Sequence, residues 1–293
     1  MECFLPEQTH VSQVHLRTAN LDEALAFYSD VLGLKVSDGP KGQAVLSAAE
    51  GPGLLVLTGD QTARPHPPRA TGLYHFAIRY PNRAALAHAY ARLQNKGCPI
   101  DGASDHGVSE AIYLNDPDGN GVELYTDRPR GQWPSRNGQL SMVTRALPLD
   151  ELLASAGGES GKPPAQTDIG HIHLHVPELA AAERFYSDFL GLAVTQRSYP
   201  GALFFAAGGY HHHIGVNVWG GKSAPPANSV GLVSYRLEVP VPEILYCLGH
   251  RAPLLGYETR TQSADESAPI LQIRDLNGNW LEVQAAPAGS PIA

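Results

Sequence analysis

One stretch of this chain occurs twice. "VHLRTANLDEALAFYSDVLGLKV" (Val14 to Val36) is matched by "IHLHVPELAAAERFYSDFLGLAV" (Ile172 to Val194), with the shared FYSD-LGL core displaced by about half of the 293 residues. A duplication of that length means that one supersecondary unit is built more than once and that the fold must pair its copies. Each copy opens with the alternation of a strand and then changes to helical apolar spacing, as at Leu21, Leu25 and Tyr28. Asn20 is placed to cap the first helix, with Glu23 at its third position. Gly33 and Gly191 stand where left-handed helix stops are expected. Strand-like runs follow: "GQAVLSA" and "GLLVLTG" in the first copy, "ALFFAAGG" and "HIGVNVW" in the second.

Two further stretches repeat the plan more weakly. "GLYHFAIRYPNRAALAHAYARLQNKG" leads into "SEAIYLNDPDGNGVELYTD", a hairpin closed by Asp, Gly and Asn. "GLVSYRLEVPVPEILYCLGHRA" leads into "ILQIRDLNGNWLEVQAA". The expected fold class is α+β, built from four βαβββ modules. Modules one and two occupy residues 8–129, a linker 130–166, and modules three and four 167–286. The Gly/Ser/Pro-rich end of the linker, Gly157 to Pro164, reads as flexible.

Composition excludes several function classes. With 21 Lys and Arg against 29 Asp and Glu, a net charge of -8 disfavours nucleic acid as a partner. No run of 18 apolar residues is present, so no membrane span is expected. The start, MECFLPEQTH, lacks the basic and apolar regions of a secretory signal. Cys3, Cys98 and Cys247 are scattered, without metal spacing, and read as free thiols of a cytoplasmic protein. A small neutral or metal-chelating ligand fits best, and the oligomeric state, homo-oligomer included, is open.

The stretch "GGYHHHIGVNVWGG" (Gly208 to Gly221) places three histidines before a strand-like run. Strand alternation puts His211 and His213 on one face and His212 on the other.

The FY-D-LG signature, the four modules and "DPDGNGVELY" resemble the vicinal-oxygen-chelate superfamily. "GLYHFAI", "DHGVSEAIYLNDPDGNGVELYTDRPR", "GHIHLHV" and "GGYHHHIGVNVW" together resemble its two-domain catechol 2,3-dioxygenases. The resemblance covers nearly the whole chain. It implies that the modules pair into two cup-shaped, open-barrel domains and that a metal sits in a cup formed by two modules, with ligands on first and last strands. His75, Glu123 and His171 stand at such positions and make the two-His, one-carboxylate set that suits non-haem Fe(II), with Mn(II) as a substitute. His75 and His171 can share one ion only if modules two and three pack together. A runner-up set, Gln13, His75 and Glu123, would make a glyoxalase-like isomerase site. A metal-free drug-binding module of the same fold would need neither set.

The resemblance also implies a catechol-type diol and O₂ as substrates, with ring cleavage beside the diol. It gives Tyr113 a hydrogen bond to the deprotonated substrate oxygen and His106 a role on the loop before it. It makes His213 the acid/base group, with His211 and Asn217 on the same substrate-facing side and His212 turned away. Arg128 and Arg130 read as structural, and Pro117 to Gly121 as a turn.

Overall fold

The computed structural model describes residues 4–157, 161–262 and 269–286. Module one comprises β1 (His10–Thr18), α1 (Leu21–Ala26), β2 (Lys35–Asp38), β3 (Gln43–Ser47) and β4 (Gly53–Gly59). Module two comprises β5 (Gly72–Tyr80), α2 (Arg83–Asn95), β6 (Gly102–Asp105), β7 (Ser109–Asn115) and β8 (Gly121–Asp127). The connection holds β9 (Ser135–Arg136), β10 (Gln139–Leu140), β11 (Arg145–Ala146) and α3 (Leu149–Ala154). Module three is β12 (Asp168–His175), α4 (Leu179–Glu183), β13 (Ala193–Gln196), β14 (Ala202–Ala206) and β15 (Ile214–Asn217). Module four is β16 (Gly231–Val239), α5 (Glu243–Leu254), β17 (Thr259–Gln262), β18 (Ile270–Arg274) and β19 (Trp280–Ala285). No helix among the described residues is long and apolar enough to cross a membrane.

Local chemistry explains the duplicated unit. The Asn20 side chain accepts the Glu23 N–H at 3.3 Å, which satisfies a donor the first helical turn leaves free. In both copies the helix then widens into a π turn, Phe27–Val31 and Arg184–Phe189, over the FYSD sequence. The widening turns two successive aromatics, Phe27 and Tyr28 or Phe185 and Tyr186, into the core. Tyr28 also donates to Asp116 Oδ2 at 2.8 Å, tying module one to the Asp-Gly-Asn turn of module two. Gly33 (φ 82°) and Gly191 (φ 81°) then take the left-handed conformation that ends the helix.

The modules do not pair in chain order. One nine-stranded sheet runs β11-β6-β7-β8-β5-β12-β15-β14-β13, so modules two and three share it. The other, eight-stranded, runs β17-β18-β19-β16-β1-β4-β3-β2 and joins modules four and one. At each centre two first strands lie antiparallel, β5 beside β12 and β1 beside β16. Most of the buried apolar side chains form one cluster spanning all four modules.

Two expectations are corrected here. Much of the 130–166 connection is built into the fold rather than hung between domains. β11 pairs with β6, and Leu152 of α3 is buried in the core; residues 158–160 of the Gly/Ser/Pro stretch lie outside the described residues. Nor are all three cysteines free. Cys98 is a free thiol, whereas Cys247 is disulfide-bonded; Cys3 lies outside the described residues. The thiol argument for a reducing compartment therefore lapses.

The shared sheet leaves no room for a side chain at Gly170, on β12. A Cβ there would lie 1.6 Å from Tyr125 Oη, which is itself bonded to Tyr210 Oη at 2.7 Å. Gly170→Ala is therefore expected to lower unfolding stability by about 1–3 kcal/mol, the usual cost of overpacking. A denaturant midpoint equal to that of the parent would show that Tyr125 yields freely.

Candidate metal centre

Three adjacent strands converge on one point. Ala77 of β5 lies opposite His171 on β12 and beside Glu123 on β8, and its small side chain leaves space between them. His75 is two residues earlier on β5 and therefore on the same face. His75 Nε2 and His171 Nε2 each stand 3.1 Å from the same oxygen, Glu123 Oε2. The three ligand atoms lie within 4.8 Å of one another, and all three residues are buried. Apart from this approach to Glu123, His75 Nε2 has no partner among the described residues, an orphaned polar atom in a buried place. Two imidazoles and a carboxylate aimed at one point, one of them unpartnered, fit a divalent ion.

A cavity of about 230 Å³ opens beside the cluster. Tyr113, paired across the strands with Glu123, lines it. His106 lines it too and bonds Tyr113 Oη through Nε2 at 2.8 Å, while its Nδ1 lies 2.8 Å from the Val143 carbonyl. Since that carbonyl can only accept, Nδ1 carries the His106 proton and Nε2 accepts from the Tyr113 hydroxyl. Met142, Val143 and Thr144 of the connecting segment form part of the wall.

The histidine triplet requires a correction. His212 lines the cavity; His213 and His211 do not. His213 is buried against Tyr210, with ring centroids 4.8 Å apart, and its Nδ1 accepts the Ala207 N–H at 3.2 Å. His211 sits behind His212, their Nδ1 atoms 2.8 Å apart. The reason is a change of phase. In β15 the positions of Gly215 and Asn217 face His173, which lines the cavity. His211 to His213 precede that strand in a bend, and regular alternation does not carry across it. Asn217 is corrected as well, since it stands behind the wall. It holds His173 Nε2 at 3.0 Å and His175 Nδ1 at 2.6 Å.

Sequence reasoning missed His212, His173 and the aromatic mouth formed by Tyr74, Tyr199, Phe204 and Trp219. His173 was within reach: two residues after His171, it shares that face by alternation. The mouth was not, because it gathers residues from β5, β14 and two loops.

Burial sets the protonation of the cluster. It lowers His171 to about 4, with the Glu123 carboxylate opposing only in part. Burial would raise the Glu123 carboxyl, but the two imidazoles beside it hold it well below the usual range. His173 and His212 are held well below an ordinary imidazole by burial and by their histidine neighbours. Burial also lowers His213 to about 3.

The second sheet carries a degenerate copy. Gln13, Ser234 and Glu282 occupy the positions matching His171, His75 and Glu123. Glu282 Oε1 accepts from Ser234 at 3.0 Å and from Gln272 at 3.2 Å. Its Oε2 accepts from Arg236 Nη2 at 2.7 Å and Nε at 3.0 Å. Gln13 donates to the Gly53 carbonyl instead, which also removes it from the runner-up set with His75 and Glu123. A guanidinium thus sits on the carboxylate, and both oxygens are engaged.

Two expectations follow. Metal analysis of loaded protein should find one divalent ion per chain; two would mean that Arg236 vacates Glu282. Metal-free protein should also lose stability as pH falls below about 6.5. His171 and His213 take up protons on unfolding between their ordinary and their lowered values, so acid favours the unfolded chain. Each contributes a slope of about 1.4 kcal/mol per pH unit in that window. Urea midpoints of chelator-treated protein at pH 7.5 and pH 5.0 measure this. Equal midpoints would contradict the burial of these rings.

A sequence model of the glyoxalase/bleomycin resistance protein/dioxygenase superfamily matches residues 9–124. Over 276 residues the chain is 44% identical to a catechol-2,3-dioxygenase of Bacillus subtilis (strain 168), covering 92% of this chain and 94% of that protein. It is 32% identical over 117 residues to biphenyl-2,3-diol 1,2-dioxygenase 2 of Rhodococcus globerulus, covering 40% of this chain and 62% of that protein. The fold is similar to that of glyoxalase I from Zea mays, with TM-score 0.59 and 16% identity over 94% of this chain and 92% of that one.

Proposed function

This chain belongs to the glyoxalase/bleomycin resistance protein/dioxygenase superfamily, and within it to the extradiol dioxygenases, and from that premise we propose that it cleaves an uncharged aromatic diol with O₂ at one Fe(II) held by His75, Glu123 and His171. The observation that carries the reading is the convergence of those three buried side chains from three neighbouring strands. Mn(II) suits the same donors. When bound, the ion supplies Lewis acidity and a common centre for diol and oxygen.

The remaining steps fall to the protein. Tyr113 sits beside Glu123, and burial and that carboxylate keep its hydroxyl protonated well above the ordinary range. Its one hydroxyl proton, given to His106 Nε2 in the free protein, turns from His106 to a deprotonated diol oxygen when substrate binds. His212, with its ring centroid 4.1 Å from that of His171, takes the diol proton and returns one as the ring opens. The apolar and aromatic mouth sheds water around the ring. Among the described residues no lysine or arginine lines the cavity, which disfavours diols bearing a carboxylate.

Protein purified without oxygen should contain iron and turn catechol yellow only when O₂ is admitted. Turnover without O₂ would favour an isomerase. His171→Ala should empty the site. His212→Gln should keep iron and lose turnover by roughly 10²–10⁴, the range for a removed general acid/base. His213→Ala should leave turnover near that of the parent while costing about 1–3 kcal/mol of stability, because the buried Ala207 N–H loses its acceptor. Unimpaired turnover in His212→Gln would sink its acid/base role.

A further inference from the structure

Behind His212 runs a chain of polar groups, half-buried at Asp127 and buried at His211, that the ring-opening chemistry does not itself touch. Asp127 closes β8, four residues after Glu123. Its Oδ1 lies 2.8 Å from His211 Nε2. Its Oδ2 accepts from Tyr210 Oη at 2.9 Å and from Arg79 Nη1 at 3.2 Å. His211 is 0% exposed, and its remaining nitrogen, Nδ1, faces His212 Nδ1 at 2.8 Å. His212 Nε2 has no protein partner among the described residues, and its ring lines the cavity. The order is therefore carboxylate, imidazole, imidazole, cavity.

Such a chain has a definite polarity. A carboxylate oxygen only accepts, so His211 Nε2 carries a proton. A neutral His211 ring then has a bare Nδ1, which must accept from His212 Nδ1–H. A neutral His212 ring, having spent its proton there, presents a bare Nε2 to the cavity. We propose that Asp127 and His211 are positioning residues that fix the tautomer of His212, so that its cavity-facing nitrogen is always the acceptor. This rests on His212 being the acid/base group. Without the relay both tautomers of His212 are open, and the wrong one offers the diol an N–H where a base is needed. As His212 takes a proton at Nε2, its Nδ1–H bond to His211 strengthens, and the Asp127 carboxylate stabilises the charge through the intervening ring.

Asp127→Asn tests the polarity directly. Arg79 is an obligate donor, so the amide oxygen must turn to Arg79 and the amide NH₂ to His211 Nε2. His211 then carries its proton on Nδ1, donates to His212, and leaves His212 with N–H at Nε2. Nitrogen-15 resonances of labelled histidine report which ring nitrogen is protonated. They are read in diamagnetic Zn(II)-loaded protein, with His212 assigned by its loss in His212→Gln. The parent should show a protonated Nδ1 and a bare Nε2 at His212; Asp127→Asn should reverse them. The iron-loaded Asp127→Asn enzyme should keep its metal and its KM for catechol while kcat falls at least about tenfold. Asp127→Glu should restore both patterns in part. If Asp127→Asn fails to fold, His211→Phe fills the same buried volume, removes the acceptor and should leave His212 a mixture of tautomers. A protonated Nε2 at His212 in the parent, or a pattern unchanged in either variant, would overturn the relay. The resonances are read without turnover, so this result stands apart from any failure of His212 as acid/base.

Discussion

The antiparallel pairing of β5 with β12 is the constraint on which the rest depends. It joins the first strands of two modules that are separated by a 40-residue connection and makes one sheet of them. His75 and His171 come from opposite sides of that seam, and β8, lying on the other side of β5, brings Glu123. No single module contains the cluster. The arrangement also explains why the core is continuous: the pairing interleaves the modules, so neither half of the chain closes on itself.

The two sheets follow one plan and diverge in chemistry at a few positions. Around the first seam, Ala77 leaves a hole between His171 and Glu123. Around the second, Arg236 occupies the matching place and lays its guanidinium on Glu282. A buried carboxylate needs a positive partner in either case. In one sheet the carboxylate faces two imidazoles beside a cavity and stays open to a cation; in the other Arg236 supplies the cation and both carboxylate oxygens are engaged. One duplicated scaffold can thus hold one reactive centre and one structural copy.

The depth of the site bears on its chemistry. Histidines His171, His173 and His212 are all buried, and burial keeps imidazoles neutral at ordinary pH. Neutral rings are what metal ligation and proton acceptance require. The same burial costs stability in acid, so the arrangement that keeps these rings neutral also makes the metal-free chain acid-sensitive.

Much of this was legible in the sequence, because it depends on near neighbours. The Asn20 cap, the glycine stops and the strands follow from period and from local backbone preference, whereas the π turns over FYSD were seen only in the structure. His75, Glu123 and His171 could be picked out by residue type at equivalent places in repeated modules, whereas Tyr113 and His106 came from the resemblance of their stretch to the dioxygenase pattern. The histidine triplet could not be resolved that way. Its orientation is set by a bend before β15, held by Phe205 on β14 and Ile172 on β12, and neither partner is near in sequence. Likewise the connecting segment has no strong periodicity of its own, yet it takes up strand pairing on β6 and walls the cavity. Local propensities set which elements form, whereas hydrogen bonds between distant strands decide which faces meet. In this protein only the tertiary structure determines that His212, and not His213, looks into the site.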